Sequence, residues 1–322
     1  TVSRGQNGAS LNIVFEADTF ASGTEDIYFV QAEIQGGSLS VTVPETRLNH
    51  AIAAQASDVN YTAIAAHGPV IHVAWTDDRS LGGSSQYDYF SMTSLNNGTD
   101  FATVVEYRHT QFLSPISWAA PRRPRVAVDL PHVYTFMEHG EAGRDDVYMD
   151  WSMDLGLTWG ATGVVINTAT VGSAGDVDDM MVVADQGRVA VLYVDDRLSG
   201  INNNDNNQAI VSVSNNGGAD FVAGTHVEVP LSLLDPNPIF GIEMQGDMIA
   251  VLYETNCGAG GEDLGVSLSA DGGQSFTHYE VTELGSCGTF PSLSTSTIAH
   301  LPAVVAETRS TTCGLPVSTI LS

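Results

Sequence analysis

Short runs of alternating apolar and polar residues recur along the whole chain, and no segment carries a sustained helical period. One set of runs comprises Asp26 to Val30, Asp88 to Met92, Asp146 to Asp150, Ala209 to Val213 and Asp263 to Ser267, all but the fourth beginning on an acid, with a sixth from Leu315 to the end. Upstream of each lies an apolar run that ends in an acid. These are Ile13 to Glu16, Val73 to Asp77, Tyr134 to Glu138, Val191 to Asp195, Val251 to Glu254 and Val304 to Glu307. Four- to six-residue runs of Val, Ile, Leu and aromatic residues, bounded by polar turns, predict β-strands.

Four runs of the first set are followed by a repeated octet, Ser-x-Asx-x-Gly-x-x-aromatic. It reads Ser94-Leu-Asn-Asn-Gly-Thr-Asp-Phe101, Ser152-Met-Asp-Leu-Gly-Leu-Thr-Trp159, Ser214-Asn-Asn-Gly-Gly-Ala-Asp-Phe221 and Ser269-Ala-Asp-Gly-Gly-Gln-Ser-Phe276. A degenerate fifth runs from Ala32 to Leu39. The Asx side chain bonds nearby backbone N–H groups and Gly takes positive φ, so each octet predicts a tight turn between strands. Six residues before each octet stand Asp26, Asp88, Asp146, Gln208 and Asp263, which fixes a common register. We therefore assign structural roles to Ser94, Asn96, Gly98, Ser152, Asp154, Gly156, Trp159, Ser214, Asn216, Gly218, Ser269, Asp271 and Gly273.

The unit is strand A, strand B, strand C, Asx-Gly turn, strand D. Repeated six times, it predicts an all-β fold: one six-bladed β-propeller domain over residues 1–322, of four-stranded antiparallel blades. The blades fall near 1–45, 60–107, 123–168, 178–230, 239–283 and 290–322, and the last lacks its outer strand within the chain. The N-terminal residues, a trimmed segment or a neighbouring chain could complete it, so homo-assembly through blade 6 is one expectation.

The octets resemble the Asp-box of the sialidase-like (BNR-repeat) propellers, Ser-x-Asp-x-Gly-x-Thr-Trp. Ser152 to Trp159 matches it throughout. The resemblance implies the propeller fold and a turn on the face away from the ligand site. In that family, sialidases grip the substrate carboxylate with three Arg, attack with a Tyr activated by a Glu, and use an Asp as acid/base. The family's first Arg sits in Arg-Ile-Pro; the nearest residues here are Arg4-Gly5-Gln6.

Charge narrows the function. There are 11 Lys+Arg against 38 Asp+Glu, a net charge of -27, and every cation is Arg. So few cations on so anionic a chain exclude a nucleic-acid partner held by its phosphates and exclude lysine chemistry. No apolar stretch is long enough for a membrane-spanning helix, so no membrane insertion is expected. The chain opens at Thr1 without Met or a leader, which reads as a processed or trimmed product, and the expected location is secreted or extracellular.

In a propeller the B–C and D-to-A loops share the face opposite the octets. Asp77-Asp78-Arg79, Asp195-Asp196-Arg197 and Glu307-Thr308-Arg309 fall there. Either each Arg ties its own or the next blade to an acid, or Arg79, Arg197 and Arg309 converge on a ligand. Asp77, Tyr253 and Glu254 complete the candidate catalytic set. The segment Gln111 to Arg125 mixes Trp118 with Arg122 and Arg123, side chains that stack on sugar rings and pair with carboxylates; with Glu138 and His139 it is the candidate ligand contact.

The hard oxygen donors Asp176, Asp178, Asp179, Asp195, Asp196 and Asp205 make Ca²⁺ a candidate ligand of the same face. Cys257, Cys287 and Cys313 allow one disulfide, with the pairing open. These residues suggest an extracellular propeller that binds a glycan or an extracellular protein through its loop face. The alternatives are an exo-acting sialidase-like glycoside hydrolase and a subunit of an assembly joined at blade 6.

Overall fold

The computed structural model describes residues 2–4, 10–20, 24–35, 37–49, 59–79, 87–109, 124–140, 145–160, 163–167, 177–195, 208–221, 225–226, 239–256, 262–282, 292–298, 301–308 and 317–321. The chain divides into two compact units, Thr1–Ile166 and Asn167–Ser322.

The first unit holds three four-stranded antiparallel sheets. Blade 1 is β1 (Val2–Arg4), β2 (Ser10–Phe20), β3 (Thr24–Gln35) and β4 (Ser38–Arg47). Blade 2 is β5 (Val59–His67), β6 (Val70–Asp77), β7 (Asp88–Ser94) and β8 (Tyr107–Arg108). Blade 3 is β9 (Arg125–Asp129), β10 (His132–Gly140), β11 (Asp145–Ser152) and β12 (Val164–Val165). In each, neighbours in sequence are neighbours in space, the up-and-down order of a β-propeller blade.

The second unit repeats the plan. Blade 4 is β13 (Val177–Asp185), β14 (Arg188–Asp195), β15 (Gln208–Ser214) and β16 (Thr225–His226). Blade 5 is β17 (Ile239–Gln245), β18 (Met248–Asn256), β19 (Glu262–Ser269) and β20 (Thr277–Thr282). The last sheet has three strands, β21 (Ser292–Ile298), β22 (Leu301–Thr308) and β23 (Val317–Leu321), with β23 at its edge. The expected all-β propeller of four-stranded blades is the fold of this chain.

The middle strands are covered on both faces. Every residue of β6 and β7 is buried, as is all of β14 except Arg188. A strand sandwiched between neighbouring blades reads as a near-continuous apolar run. Val14, Ile27 and Phe29 of blade 1 meet Ile71, Val73 and Trp75 of blade 2 in one core. Leu192, Val211 and Val213 of blade 4 meet Ile242, Ile249 and Val251 of blade 5 in another.

All four octets form the expected turn. The Ser hydroxyl accepts the Gly N–H at 2.7 to 2.9 Å in each: Ser94 with Gly98, Ser152 with Gly156, Ser214 with Gly218, Ser269 with Gly273. The Asx oxygen accepts the N–H four residues on, as in Asp154 with Thr158 at 2.8 Å. Side-chain and backbone bonds from Ser275 hold Asp271 down to a pKa of about 2, and those from Thr158 lower Asp154.

The octets also pack outward. Gly98 lies against the Phe29 ring of blade 1 and Gly156 against Thr93 of blade 2, so closely that a Cβ at either would overlap its neighbour. The degenerate fifth also joins two strands by a tight turn, without the octet's Ser and Asx. In blade 1 no octet forms; β3 and β4 pair directly through Ile34↔Leu39 and Gln35↔Ser38. Without a Ser-Asx-Gly turn to interrupt it, strand D there runs for 10 residues.

Candidate functional site

The acids and arginines at the loop ends of the strands converge best in blade 2. Asp77 ends β6 and Asp88 begins β7, and the two are register partners across the sheet. Both are buried. Each has its own guanidinium: Arg108 Nη2 lies 2.8 Å from Asp88 Oδ2, and Arg79 Nε lies 2.9 Å from Asp77 Oδ2. The Arg79 backbone N–H donates to Asp77 Oδ1 at 2.9 Å, and its Nη2 reaches Glu106 Oε2 at 2.6 Å. The guanidinium also caps the Phe90 ring at 4.1 Å, a cation–π contact.

Burial raises the Asp77 pKa to about 6; Arg79 and its backbone N–H pull the other way and are outweighed. Asp77 is therefore an acid that exchanges its proton near neutrality, the property expected of a general acid. Its side chain is wholly covered, and its partner Arg79 also holds Glu106.

Blade 1 repeats half of this pattern. Arg47 Nη2 pairs with Asp26 Oδ1 at 2.6 Å, and Asn49 Nδ2 donates to the same oxygen at 3.0 Å. Asp26 and Asp88 thus share both register position and partner type. Arg47, Arg79 and Arg108 each tie strands of their own blade, which for Arg79 is one of the two readings the sequence left open.

The other sequence candidates are placed as follows. Glu138 is buried in β10, where its backbone carbonyl accepts the Tyr89 hydroxyl at 2.7 Å. Asp195 is buried at the end of β14. Asp179 has φ of 44° and accepts the Met180 N–H at 2.9 Å. Arg197, Arg309, Trp118, Arg122, Arg123, Asp176, Asp196, Asp205, Cys257, Cys287 and Cys313 lie outside the described residues, as do the side chains of Tyr253, Glu254, His139 and Asp178. Among the described residues no group of three or more His, Cys, Asp or Glu could hold a metal ion.

Sequence reasoning missed a second constellation. Ser91 Oγ lies 2.8 Å from His109 Nε2, and His109 Nδ1 lies 2.9 Å from Asp150 Oδ2. Beside it, His72 Nδ1 meets Thr93 Oγ1 at 2.9 Å and Nε2 meets Thr135 Oγ1 at 2.7 Å. Trp159, the octet aromatic of blade 3, packs on both imidazoles, edge to face on His109 at 4.6 Å. Burial lowers the pKa of both histidines, and for His72 the charge of His109 adds to the effect.

Ser, His and Asp in this order of contact are the arrangement that activates a serine nucleophile. Here Ser91 and Asp150 are as buried as His109, which is 2% exposed, and Tyr107 and Trp159 close over the imidazole. The chain has enclosed the triad as a polar tie between blades 2 and 3. His109 directly follows strand D and sits inside the blade junction. The register could have found it, because His109 falls where blades 1 and 3 carry buried Leu48 and Ile166, whose N–H groups bond the strand C carbonyls of Ile27 and Val147.

No protein-family model matches the chain, and no curated protein matches it. Among solved structures it is similar to a PL25 ulvan lyase bound to -[GlcA(1-4)Rha3S]-, with a TM-score of 0.54, 15% identity, and coverage of 97% of this chain and 76% of that one. It is similar to a Hadza microbial sialidase, with a TM-score of 0.48, 14% identity, and coverage of 85% and 56%. It is also similar to the GH93 α-L-arabinofuranosidase of Fusarium graminearum in complex with arabinobiose, with a TM-score of 0.45, 12% identity, and coverage of 77% and 74%. The likeness to the lyase is one of fold. No helix among the described residues is long and apolar enough to cross a membrane.

Proposed function

We propose that this chain is an extracellular carbohydrate-binding β-propeller of the Asp-box type, taking a glycan on the loop face of its blades. The observation that carries the reading is the closure of Arg79 on Asp77 and Glu106 of its own blade. An arginine saturated by two carboxylates and a ring face organises the loop end; it does not grip a substrate carboxylate. With Asp26–Arg47 and Asp88–Arg108 alike, the cations at these strand ends stiffen the rim. A rim of net negative charge favours neutral sugars, bound by stacking and neutral hydrogen bonds, over anionic ones. Trp118, Arg122, Arg123 and His139 are the proposed contacts, without the buried Glu138, and Ca²⁺ on Asp176 to Asp205 is the proposed stabiliser. The fold shared with a lyase bound to an oligosaccharide supports a carbohydrate ligand.

The test is a panel of neutral and anionic polysaccharides in affinity electrophoresis, run beside turnover of a fluorogenic sialoside. Retardation by a neutral glycan without turnover is the expected result. Sialoside turnover that is lost in Arg79→Met would instead establish the hydrolase. A second reading, assembly through blade 6, has β23 at the edge of a three-stranded sheet in its favour. Protection of residues 317–321 from amide exchange on concentration would support it.

A further inference from the structure

The outer strands of the blades are not alike. β8, β12 and β16 are two residues each, and β20, at six, carries Glu280. Short or charged outer strands are how sheets avoid pairing with other chains. β4 breaks the rule. It has 10 residues, and Ser38 through Thr42 are all exposed. From Ile34 to Pro44 the sequence has no charged residue.

That stretch is also apolar on its surface. Leu39 and Val41 are 61% and 62% exposed, and Ile34, the register partner of Leu39, is 56% exposed. The pairing from Gln35↔Ser38 to Ala32↔Val41 is regular, and irregularities begin only at Thr42. The tip of the hairpin is therefore a flat, uncharged edge, and the bulges that blunt an edge lie beyond it.

We infer that this hairpin is a self-association surface, β4 of one copy pairing antiparallel with β4 of a second. Charge selects the occupant. Two copies at -27 each repel over most of their surface and can approach where charge is absent. The segment Ser38-Leu-Ser-Val-Thr-Val43 alternates small polar with apolar residues, so it is complementary to itself when turned about a two-fold axis. The inference stands apart from the glycan reading, because the hairpin tip lies at the C–D end of blade 1 and shares no residue with the proposed contacts.

Sedimentation equilibrium across micromolar to submillimolar concentration tests it. The mass is expected to rise from 34.0 kDa toward twice that value, and more steeply at higher salt, which screens the repulsion. Val41→Lys and Leu39→Lys, each on the exposed edge, are expected to stay monomeric throughout with an unchanged melting midpoint. Wild-type protein that remains at 34.0 kDa overturns the proposal, as does a Val41→Lys protein that dimerises equally. Amide exchange of the wild-type chain gives a readout independent of any variant. Residues 38–43 are expected to slow as concentration rises; slowing confined to another edge, such as 317–321, overturns it.

Discussion

His109 Nδ1 lies 2.9 Å from Asp150 Oδ2, joining the last residue of one blade to strand C of the next. At the register-equivalent positions blade 1 has Leu48 and Val30, and Ser91 replaces Phe29. Three positions that are apolar in blade 1 are polar at the junction of blades 2 and 3. Such a set is stable only while every member has its partner.

His109→Leu should therefore destabilise the protein although it restores the residue type of blade 1, because it strands the Asp150 carboxyl and the Ser91 hydroxyl in an apolar junction. A loss of about 3 kcal/mol is expected from urea unfolding. The triple variant Ser91→Val, His109→Leu, Asp150→Val removes all three partners and should recover most of it. A triple variant no better than the single one would refute the account. Ser91 in the wild-type protein should also resist a fluorophosphonate probe.

The same junction sets an acid limit. Both buried histidines have folded pKa values below that of an exposed imidazole. Between the folded and unfolded values the unfolded chain binds more protons, so stability rises with pH there and is lost as pH falls below about 6.5. Asp150, facing His109, and His109 itself, facing His72, are the titratable groups in contact. Melting midpoints from pH 7.5 to 5 should fall, and His72→Gln should flatten the fall. An unchanged slope in that variant would assign the acid sensitivity elsewhere.

Asp77 acts in the opposite direction. Its folded pKa of about 6 lies above the ordinary carboxylate value. Between roughly pH 4 and 6 the folded state binds the extra proton, so this residue's contribution declines as pH rises through that window and is level above it. The stability of wild type minus that of Asp77→Asn should drop by on the order of 2 kcal/mol from pH 4 to 7. A difference independent of pH would show that Arg79 holds Asp77 ionised throughout.

Much of this was legible in the residue pattern, and the reason is repetition. The octets fixed turn and register together, so the positions of Asp26, Asp88 and Asp146 followed from those of Ser94 and Ser152. Arg79 as a tie within its own blade was one of two readings, since Arg, Asp and Glu close in sequence cannot say which partner lies within reach. The Ser91–His109–Asp150 contact was legible only as a register anomaly, a His where blades 1 and 3 have Leu48 and Ile166; its members belong to two blades and no local spacing links them. At Ala32 to Leu39 the strand-to-strand turn was legible, and the missing Ser and Asx mark it as a direct hairpin rather than a full octet.

Gly156 separates backbone conformation from packing. It has φ of 82° and faces Thr93, whereas Gly37 has φ of 84° and nothing within 4 Å. Gly37→Ala should cost about 1 kcal/mol, the conformational strain alone. Gly156→Ala adds the overlap with Thr93 and should cost about 3 kcal/mol in the same urea titration. Equal losses at the two sites would mean that the octet does not bear on blade 2.

Arg188 makes the corresponding tie between blades 4 and 5. From the first position of β14 its Nε donates to Asn215 Oδ1 at 2.7 Å, and its Nη1 bonds the Gly246 carbonyl and pairs with Asp247 Oδ1 at 2.9 Å. Its Nη2 donates to the Gly272 carbonyl at 3.4 Å. One planar fork thus joins the octet of its own blade to the A–B turn and the octet of the next. Arg188→Met should cost about 2 kcal/mol, the range for hydrogen bonds to a charged group that is mostly covered. Arg188→Lys should cost nearly as much, since an ammonium group cannot reach three directions from one plane. If Lys restores the wild-type urea midpoint, the charge alone holds the blades, through Asp247, and the carbonyl contacts contribute nothing measurable.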